Sequence, residues 1–422
     1  MSLFDELSWR GLVNQVTHPE LKDELEKGPI TLYCGFDPSA ESLHIGSLVP
    51  IMGLAHFQRA GHWPIALVGG GTGLIGDPSG KSAERTLLTT EQVEINVRGI
   101  RSQLERFLRF DGPSAAIMQN NGEWLCKLSL IDFLRDIGKH FSVNAMLARD
   151  SVRSRLEDRD HGISYTEFTY SLLQAYDFLH LSDTFGCRLQ VGGSDQWGNI
   201  VVGMDLTRRL RGRDTFGLTF PLVTKSDGAK FGKSESGNVW LDAGRTSPYK
   251  FYQFWINQAD ADVGRFLRFF TFLEKATIEA LEAEHATAPE KRVAQRRLAE
   301  EVTRIVHGEQ ALADAQRASQ AMFGGDLTGL DEATLRDVFD AAPLVELPCE
   351  TLATDTSGAI AAKVLGASNS DVRRLVDNGG LYFNEVVVRD LKAAVEPSTL
   401  LHGKFLLVRK GKKDYRLVWF MH

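Results

Sequence analysis

Four groups of residues in this chain have types and spacings that could do chemistry. In the first, Tyr33-Cys34-Gly35-Phe36-Asp37-Pro38 runs through Ser39 to His44-Ile45-Gly46-Ser47. A histidine and a glycine in the first turn of a helix suit a phosphate: backbone N–H groups and the positive dipole end attract it, His44 adds a hydrogen bond, and Gly46 lets it approach. In the second, Tyr170, Gln174 and Asp177 fall within an arc of about 60° on a helix. A phenol, an amide and a carboxylate stand where a solvated stripe would show Lys, Glu or Arg, and they suit a small zwitterion with a hydroxyl at its far end. In the third, strand-like Leu189-Gln190-Val191 runs into Gly192-Gly193-Ser194-Asp195-Gln196, a form that sets a carboxylate beside ribose hydroxyls. The fourth, residues 225–237, mixes glycine, serine and the lysines Lys225, Lys230 and Lys233, giving the mobility and charge needed to close over a polyphosphate. Each also has a plainer reading: a βα turn with a surface histidine, a solvated helix face, a tight turn, an exposed basic loop.

The elements that must position these groups follow from local pattern. Ile30, Leu32 and Tyr33 are β-prone, and Pro38 holds Asp37 extended, so a strand ends there. Leu48, Ile51, Met52 and Ala55 then recur at helical spacing. Pro64 to Val68 reads as a second strand, entering a glycine tract from Gly69 to Gly80. Gly71, Gly73 and Gly76 satisfy G-x-G-x-x-G, the dinucleotide fingerprint, but Asp77-Pro78 interrupts the helix it should open and no ribose-binding acid follows at a strand end. The tract reads instead as a loop that admits a substrate and aims Asp77 at it. Residues 89–110 and 129–150 have helical periodicity, with a strand-like Ala116-Ile117-Met118 and a turn at Asn120-Asn121-Gly122 between them. The chain is nearly all helical from Ser247 to Phe323, turn-rich over 324–358 with one short helix near 334–340, and from Ile360 patterned as two short helices and a small sheet.

At 422 residues the chain has room for two to four domains, and 43% hydrophobic with 24% charged residues is the composition of a soluble globular protein. The start lacks a basic, apolar leader and no run of some 18 apolar residues occurs, so the cytoplasm is the default and no membrane partner is expected. Cys34, Cys126, Cys187 and Cys349 are widely spaced, which suggests neither a disulfide framework nor structural zinc. The net charge is −7, yet residues 360–422 hold 11 Lys and Arg against 6 Asp and Glu, a surplus of +5 that leaves −12 elsewhere. That asymmetry fits a nucleic-acid-facing module on an acidic body, or simply a solvated surface.

Taken together, Asp37-Pro38-Ser39 with His44-Ile45-Gly46-Ser47 resembles the HIGH signature of class I aminoacyl-tRNA synthetases, and Lys230-Phe231-Gly232-Lys233-Ser234 resembles the KMSKS signature in its bacterial tyrosyl variant. The likeness spans nearly the whole chain. It implies an α/β fold: a doubly wound parallel-sheet, Rossmann-like catalytic domain over 1–246, a tRNA-contacting helical domain over 247–323, a linker over 324–358 and a small RNA-binding α+β module of ribosomal-protein type over 359–422. It implies tyrosine activation by ATP followed by transfer to tRNA, with Mg²⁺ accompanying ATP and no dedicated protein metal site. His44, Ser39, Lys230 and Lys233 would be catalytic. Asp37, Gly46, Ser47, Gly193, Asp195 and Lys233 would bind ATP. Tyr33 and Asp177 would meet the phenolic hydroxyl, Asp77, Tyr170 and Gln174 the ammonium, and Gln196 the carboxylate, with Asn121 behind them. Arg373, Arg374, Lys410, Lys412 and Lys413 would face RNA, and the apolar 129–150 segment would serve a homodimer. Two departures stand out: Ser47 replaces a second histidine, and Phe231-Gly232 replaces Met-Ser. A tryptophanyl enzyme, or an RNA-binding protein that keeps a dormant synthetase body, are the alternatives.

Overall fold

The computed structural model describes the chain except residues 80–86, 150–151, 154–155, 157–161, 227, 229–230, 235–236, 322–324, 326, 328, 341, 412–413 and 422, together with the side chains of Lys233 and Ser234. Lys230, Lys412 and Lys413 therefore lie outside the described residues. Two compact units form, Met1–Arg245 with Asn257–Val306, and Thr246–Ile256 with His307–His422.

The first unit is built on a six-stranded sheet. Its strands are β1 (Gln15–Val16), β2 (Thr31–Phe36), β3 (Trp63–Val68), β4 (Ile117–Asn120), β5 (Cys187–Gly193) and β6 (Phe216–Phe220), in the order β1-β6-β5-β2-β3-β4. The five strands from β6 to β4 are parallel, and short β1 closes one edge antiparallel to β6. Helices cover both faces of such a sheet, which is why β3 and β6 are almost continuously buried. The chain winds outward from β2 through β3 to β4, then returns to the other side of β2 with β5. The strand order reverses between β2 and β5, and the crevice at their carboxyl ends is where ligands bind in open α/β sheets. Gly53 of the Leu48–Arg59 helix packs on β6, since a Cβ there would lie 2.1 Å from the Phe220 ring. Tyr33 of β2 faces the Tyr165–Phe185 helix, its ring 5.3 Å from that of Phe178.

The 129–150 segment does not form the single helix its periodicity suggests. It breaks into Leu130–Asp132, a π-turn at Phe133–Ile137, a 3₁₀ turn at Gly138–His140 and Val143–Leu147. Gly138 weakens the helix there, Leu130 and Ile131 are 70% and 68% exposed, and the buried Ile137 and Met146, nine residues apart, would face opposite ways on one straight helix.

A two-residue pair, β7 (Lys233–Ser234) antiparallel to β8 (Gly237–Asn238), completes the first unit's strands, and the second unit carries β9 (Leu344–Pro348), β10 (Leu381–Phe383), β11 (Val386–Val387), β12 (Phe405–Lys410) and β13 (Asp414–Met421), in the order β11-β10-β12-β13-β9. The helices Ser357–Leu365 and Asn369–Asp377 pack on this sheet through Ile360, Val364, Val372, Leu406 and Val418. Two expected boundaries shift. The turn-rich 324–358 stretch is not merely a linker, because β9 lies in it and pairs in parallel with β13. The helical stretch at 247–323 is divided: Pro248–Ile256 and Glu309–Ala321 belong to the second unit, Asp260–Phe270 and Lys275–Thr287 to the first. Periodicity reports that a helix has a buried face, not which neighbour covers it.

Candidate active site

Between the carboxyl ends of β2 and β5 lies a cavity of about 660 Å³. It is lined by Tyr33, Asp37, Ser39, His44, Gly46, Ser47, Asp77, Asn121, Tyr170, Gln174, Asp177, Gly193, Asp195 and Gln196, so every described side chain expected to handle tyrosine or ATP meets in one place. Burial falls off along it: Tyr33 and Asp177 are each 1% exposed, whereas Ser39, His44 and Asp195 are open to solvent.

At the closed end, both oxygens of Asp177 are held. Trp124 Nε1 donates to Oδ1 at 2.8 Å and Asn121 Nδ2 donates to Oδ2 at 2.8 Å. Burial pushes the Asp177 carboxyl up to about 7 against the opposing pull of these two donors, with a further push from Asp37. Tyr33 Oη is buried with no hydrogen-bond partner among the described residues. Burial, and then the Asp177 charge, raise its pKa well above the usual phenol range. Asn121 does more than support Asp177. Its Oδ1 accepts from Gly71 N at 2.8 Å and Thr72 N at 3.3 Å, and its amide also donates to Thr72 Oγ1 at 2.9 Å. These N–H groups of the glycine tract are thus already engaged, and the tract forms a 3₁₀ turn at Thr72–Leu74, which agrees with a loop and not a dinucleotide cradle.

In the middle of the cavity Gln196 is a hub. Its Nε2 donates to Asp77 Oδ2 at 2.7 Å and Asp195 Oδ2 at 3.3 Å, and its Oε1 accepts from Gln174 Nε2 at 3.2 Å. Tyr170 Oη reaches Asp37 Oδ1 at 3.4 Å. Three carboxylates with amide and phenol donors between them can attract a cation and accept from hydroxyl groups.

At the mouth, His44 caps the 3₁₀ turn Ile45–Ser47, its Nδ1 accepting from Gly46 N at 3.0 Å. The neutral ring therefore carries its proton on Nε2, as a donor. Gly46 has a second use here: a Cβ would come within 2.6 Å of the His44 ring, so only glycine lets the imidazole fold back. Gly193 is similar, since a Cβ would lie 2.5 Å from Asp195 Oδ1. Across the mouth, Val239 N donates to Gly232 O at 2.9 Å and Ile45 N donates to Val239 O at 3.0 Å, which joins the two signature segments through main chain. Among the described residues, no group of three or more His, Cys, Asp or Glu is arranged to hold a metal ion.

Sequence reasoning missed Trp124 and Gln190. Trp124 sits in the short helix Gly122–Leu125, and nothing local marks it. Gln190, opposite Tyr33 in the β2–β5 register, lines the cavity with its Oε1 buried and unpartnered among the described residues; a polar residue inside an apolar strand was a usable sign.

The family model for tRNA synthetases class I (W and Y) matches residues 25–324. The chain belongs to that family. Residues 334–418 match the tyrosine–tRNA ligase SYY-like C-terminal domain. A curated tyrosine–tRNA ligase from Roseiflexus castenholzii is 55% identical over 421 residues, covering 99% of each chain. Among solved structures, a C-terminally truncated mitochondrial tyrosyl-tRNA synthetase from Aspergillus nidulans matches with a TM-score of 0.70 at 31% identity, over 76% of this chain and 94% of that one. Its counterpart from Coccidioides posadasii matches with a TM-score of 0.67 at 34% identity, over 75% and 91%. As in other class I synthetases, the nucleotide is ATP.

In the second unit Arg373 and Arg374 are exposed on the Asn369–Asp377 helix. Arg374 and Lys410 line one small concavity with Asp371 and Asn378. Arg409, in contrast, is tied to Glu385 at 2.7 Å and lies 3.6 Å over the Tyr382 ring, so its charge is neutralised locally.

Proposed function

We infer that this chain is a tyrosine–tRNA ligase, an ATP-dependent enzyme that activates L-tyrosine and transfers it to tRNA. The observation that carries the substrate is the closed end of the cavity. A phenol can donate to Asp177 and accept from Tyr33, pairing both. An indole N–H could donate to Asp177 but would leave the Tyr33 hydroxyl without an acceptor, which disfavours tryptophan.

In the first step the tyrosine carboxylate attacks the α-phosphorus of ATP. The new P–O bond forms as the bond to pyrophosphate breaks, giving tyrosyl-adenylate. No protein nucleophile is needed, so the protein works by alignment and charge stabilisation. Asp77, Tyr170 and Gln174 hold the ammonium, Gln196 the carboxylate, and Asn121 fixes Asp177. Gly193 and Asp195 hold the ribose, with Asp37, Gly46 and Ser47 along the nucleotide. His44 Nε2–H, with Ser39, Lys230 and Lys233, stabilises the leaving phosphates, and Mg²⁺ enters with ATP as part of that substrate. In the second step a 3′-terminal ribose hydroxyl of the tRNA attacks the carbonyl carbon and AMP leaves.

The partners in this reading are tyrosine, ATP, the tRNA for tyrosine and a second copy of the chain. Leu130, Ile131, Leu134, Val143 and Leu147 are exposed aliphatic residues in the broken 129–150 segment, and we assign that surface to a homodimer. Arg373, Arg374 and Lys410, with Lys412 and Lys413, are assigned to the RNA backbone. No helix among the described residues is long and apolar enough to cross a membrane, and the proposed work is cytoplasmic. The deciding experiment is ATP–pyrophosphate exchange: it should depend on L-tyrosine, and exchange supported by L-tryptophan in its place would reverse the assignment.

The state of Asp177 adds a pH dependence. The phenol must donate to an ionised carboxylate, and Asp177 titrates at about 7. Tyrosine affinity should therefore weaken about tenfold per pH unit below that value and level off above it. L-phenylalanine, with nothing to donate, should not follow. Equilibrium binding of both amino acids from pH 5.5 to 8.5 checks this, and parallel curves would exclude Asp177 as the titrating group. The same shift acts on folding with a definite sign: the folded pKa is raised, so its contribution is fully present below the ordinary value of 3.8 and is lost as pH rises to about 7.

A further inference from the structure

The helix Asp260–Phe270 has no place in the chemistry above, yet it grips the lysine loop at two points. At the start of the loop, Asp262 is 2% exposed, and its Oδ2 accepts from Ser226 N at 3.0 Å and Ser226 Oγ at 2.9 Å. Arg265 donates to Asp262 Oδ1 at 2.8 Å and also to the Thr224 carbonyl. At the centre of the loop, Phe231 is 5% exposed, with its ring 5.0 Å from Phe266 and stacked on Phe270 at 5.5 Å. Phe231 stands next to Lys230 in the chain and two residues before Lys233. Gly232, at φ +91°, follows it against Ile45, where a Cβ would meet Ile45 Cγ1 at 3.2 Å.

The helix is itself fixed. Val263, Phe266, Leu267 and Phe270 are buried, and the Arg10 guanidinium donates to the carbonyls of Arg268 in the last turn, Thr271 at the cap and Leu273 just beyond it, at 2.8 to 3.0 Å. A loop that must bring two ammonium groups onto a polyphosphate loses most of its effect when displaced by an ångström.

We propose that Asp262 and Phe231 are positioning residues for adenylate formation, setting the lysine loop on the Asp260–Phe270 helix. The departure of this loop from the general signature then has a reason: Phe fills a slot between two aromatic rings, and Gly turns the chain at positive φ beside Ile45. The proposal rests on the ligase reading and assigns an origin to the placement of its phosphate-handling loop.

The test compares Phe231→Ala, Phe231→Leu, Asp262→Ala and Asp262→Asn in three measurements: single-turnover adenylate formation at saturating tyrosine and ATP, tyrosine binding, and transfer to tRNA from preformed tyrosyl-adenylate. Adenylate formation should fall about ten- to a hundredfold in the two alanine variants. Tyrosine affinity and the transfer rate should stay within about twofold, and Phe231→Leu, which still fills the slot, should recover most of the loss. Unchanged adenylate formation, or an equal fall in all three measurements, would overturn the assignment. Tyrosine-dependent exchange by the unaltered chain tests the ligase reading itself, so the two failures are distinguishable.

Discussion

Asp177→Ala will lower the preference for tyrosine over phenylalanine by about a hundredfold, the value of one buried hydrogen bond to a charged acceptor. The full discrimination of a site that pairs a substrate hydroxyl is roughly 10⁴ to 10⁵, a figure for which tyrosyl synthetases are themselves the reference case. In the proposed function Asp177 supplies one side of that pairing and Tyr33 the other, so neither alone should remove all of it. The isosteric Asp177→Asn should be no milder. Each Asp177 oxygen already accepts an N–H, from Trp124 and from Asn121, so whichever way an amide turns its NH₂ group faces a donor. Trp124→Phe should have a smaller effect, about three- to tenfold, because the carboxylate remains and loses one of its two fixed donors. The Trp124 ring stacks on His180 at 4.2 Å, and phenylalanine keeps part of that contact. The measurement is kcat/KM for both amino acids in pyrophosphate exchange, with KM for ATP followed alongside. Equal losses for tyrosine and phenylalanine would remove Asp177 from the specificity role.

Much of the lining of this cavity was legible in the sequence because its parts sit where local pattern changes. The strand from Ile30 ends where Asp37 meets Pro38, the turn at His44 opens a helix of clear period, and the Tyr170, Gln174, Asp177 face follows from 100° per residue. Most supports behind these groups were not legible, since they come from elements adjacent only after the sheet forms. Trp124 follows β4, yet it acts on Asp177 more than fifty residues later; Asn121 does the same, and only the family resemblance placed it there. Gln190 faces the cavity only because β5 returns beside β2. The same nonlocality hid β9, whose partner β13 lies some seventy residues on and whose alternate exposure is that of an edge strand. The contacts of Phe231 are not legible in the sequence for a different reason. Glycine, serine and lysine describe a mobile loop by composition, and one aromatic side chain is enough to pin its centre when a helix elsewhere offers a matching slot.

His44→Ala will slow adenylate formation by about 10² to 10³ while leaving tyrosine affinity nearly unchanged, the usual cost of removing one preorganised donor from developing charge. The ring has one job shown by the structure and a second that the proposed function gives it, and they can be separated. Nδ1 caps the turn by accepting from Gly46 N, and that bond places the donor proton on Nε2, at the open mouth of the cavity. His44→Asn retains an acceptor near the Nδ1 position, so it can keep the cap, but it has nothing at the Nε2 position. If the contribution to rate is the phosphate contact, His44→Asn should be as slow as His44→Ala in a single-turnover assay. If the cap alone matters, asparagine should restore the rate. Gly46→Ala offers an independent check from the other side of the same bond, because a Cβ at 2.6 Å would drive the imidazole off its seat without deleting it. Adenylate formation in that variant should fall by about tenfold or more, the expected cost of displacing a catalytic group by an ångström, with tyrosine binding again spared.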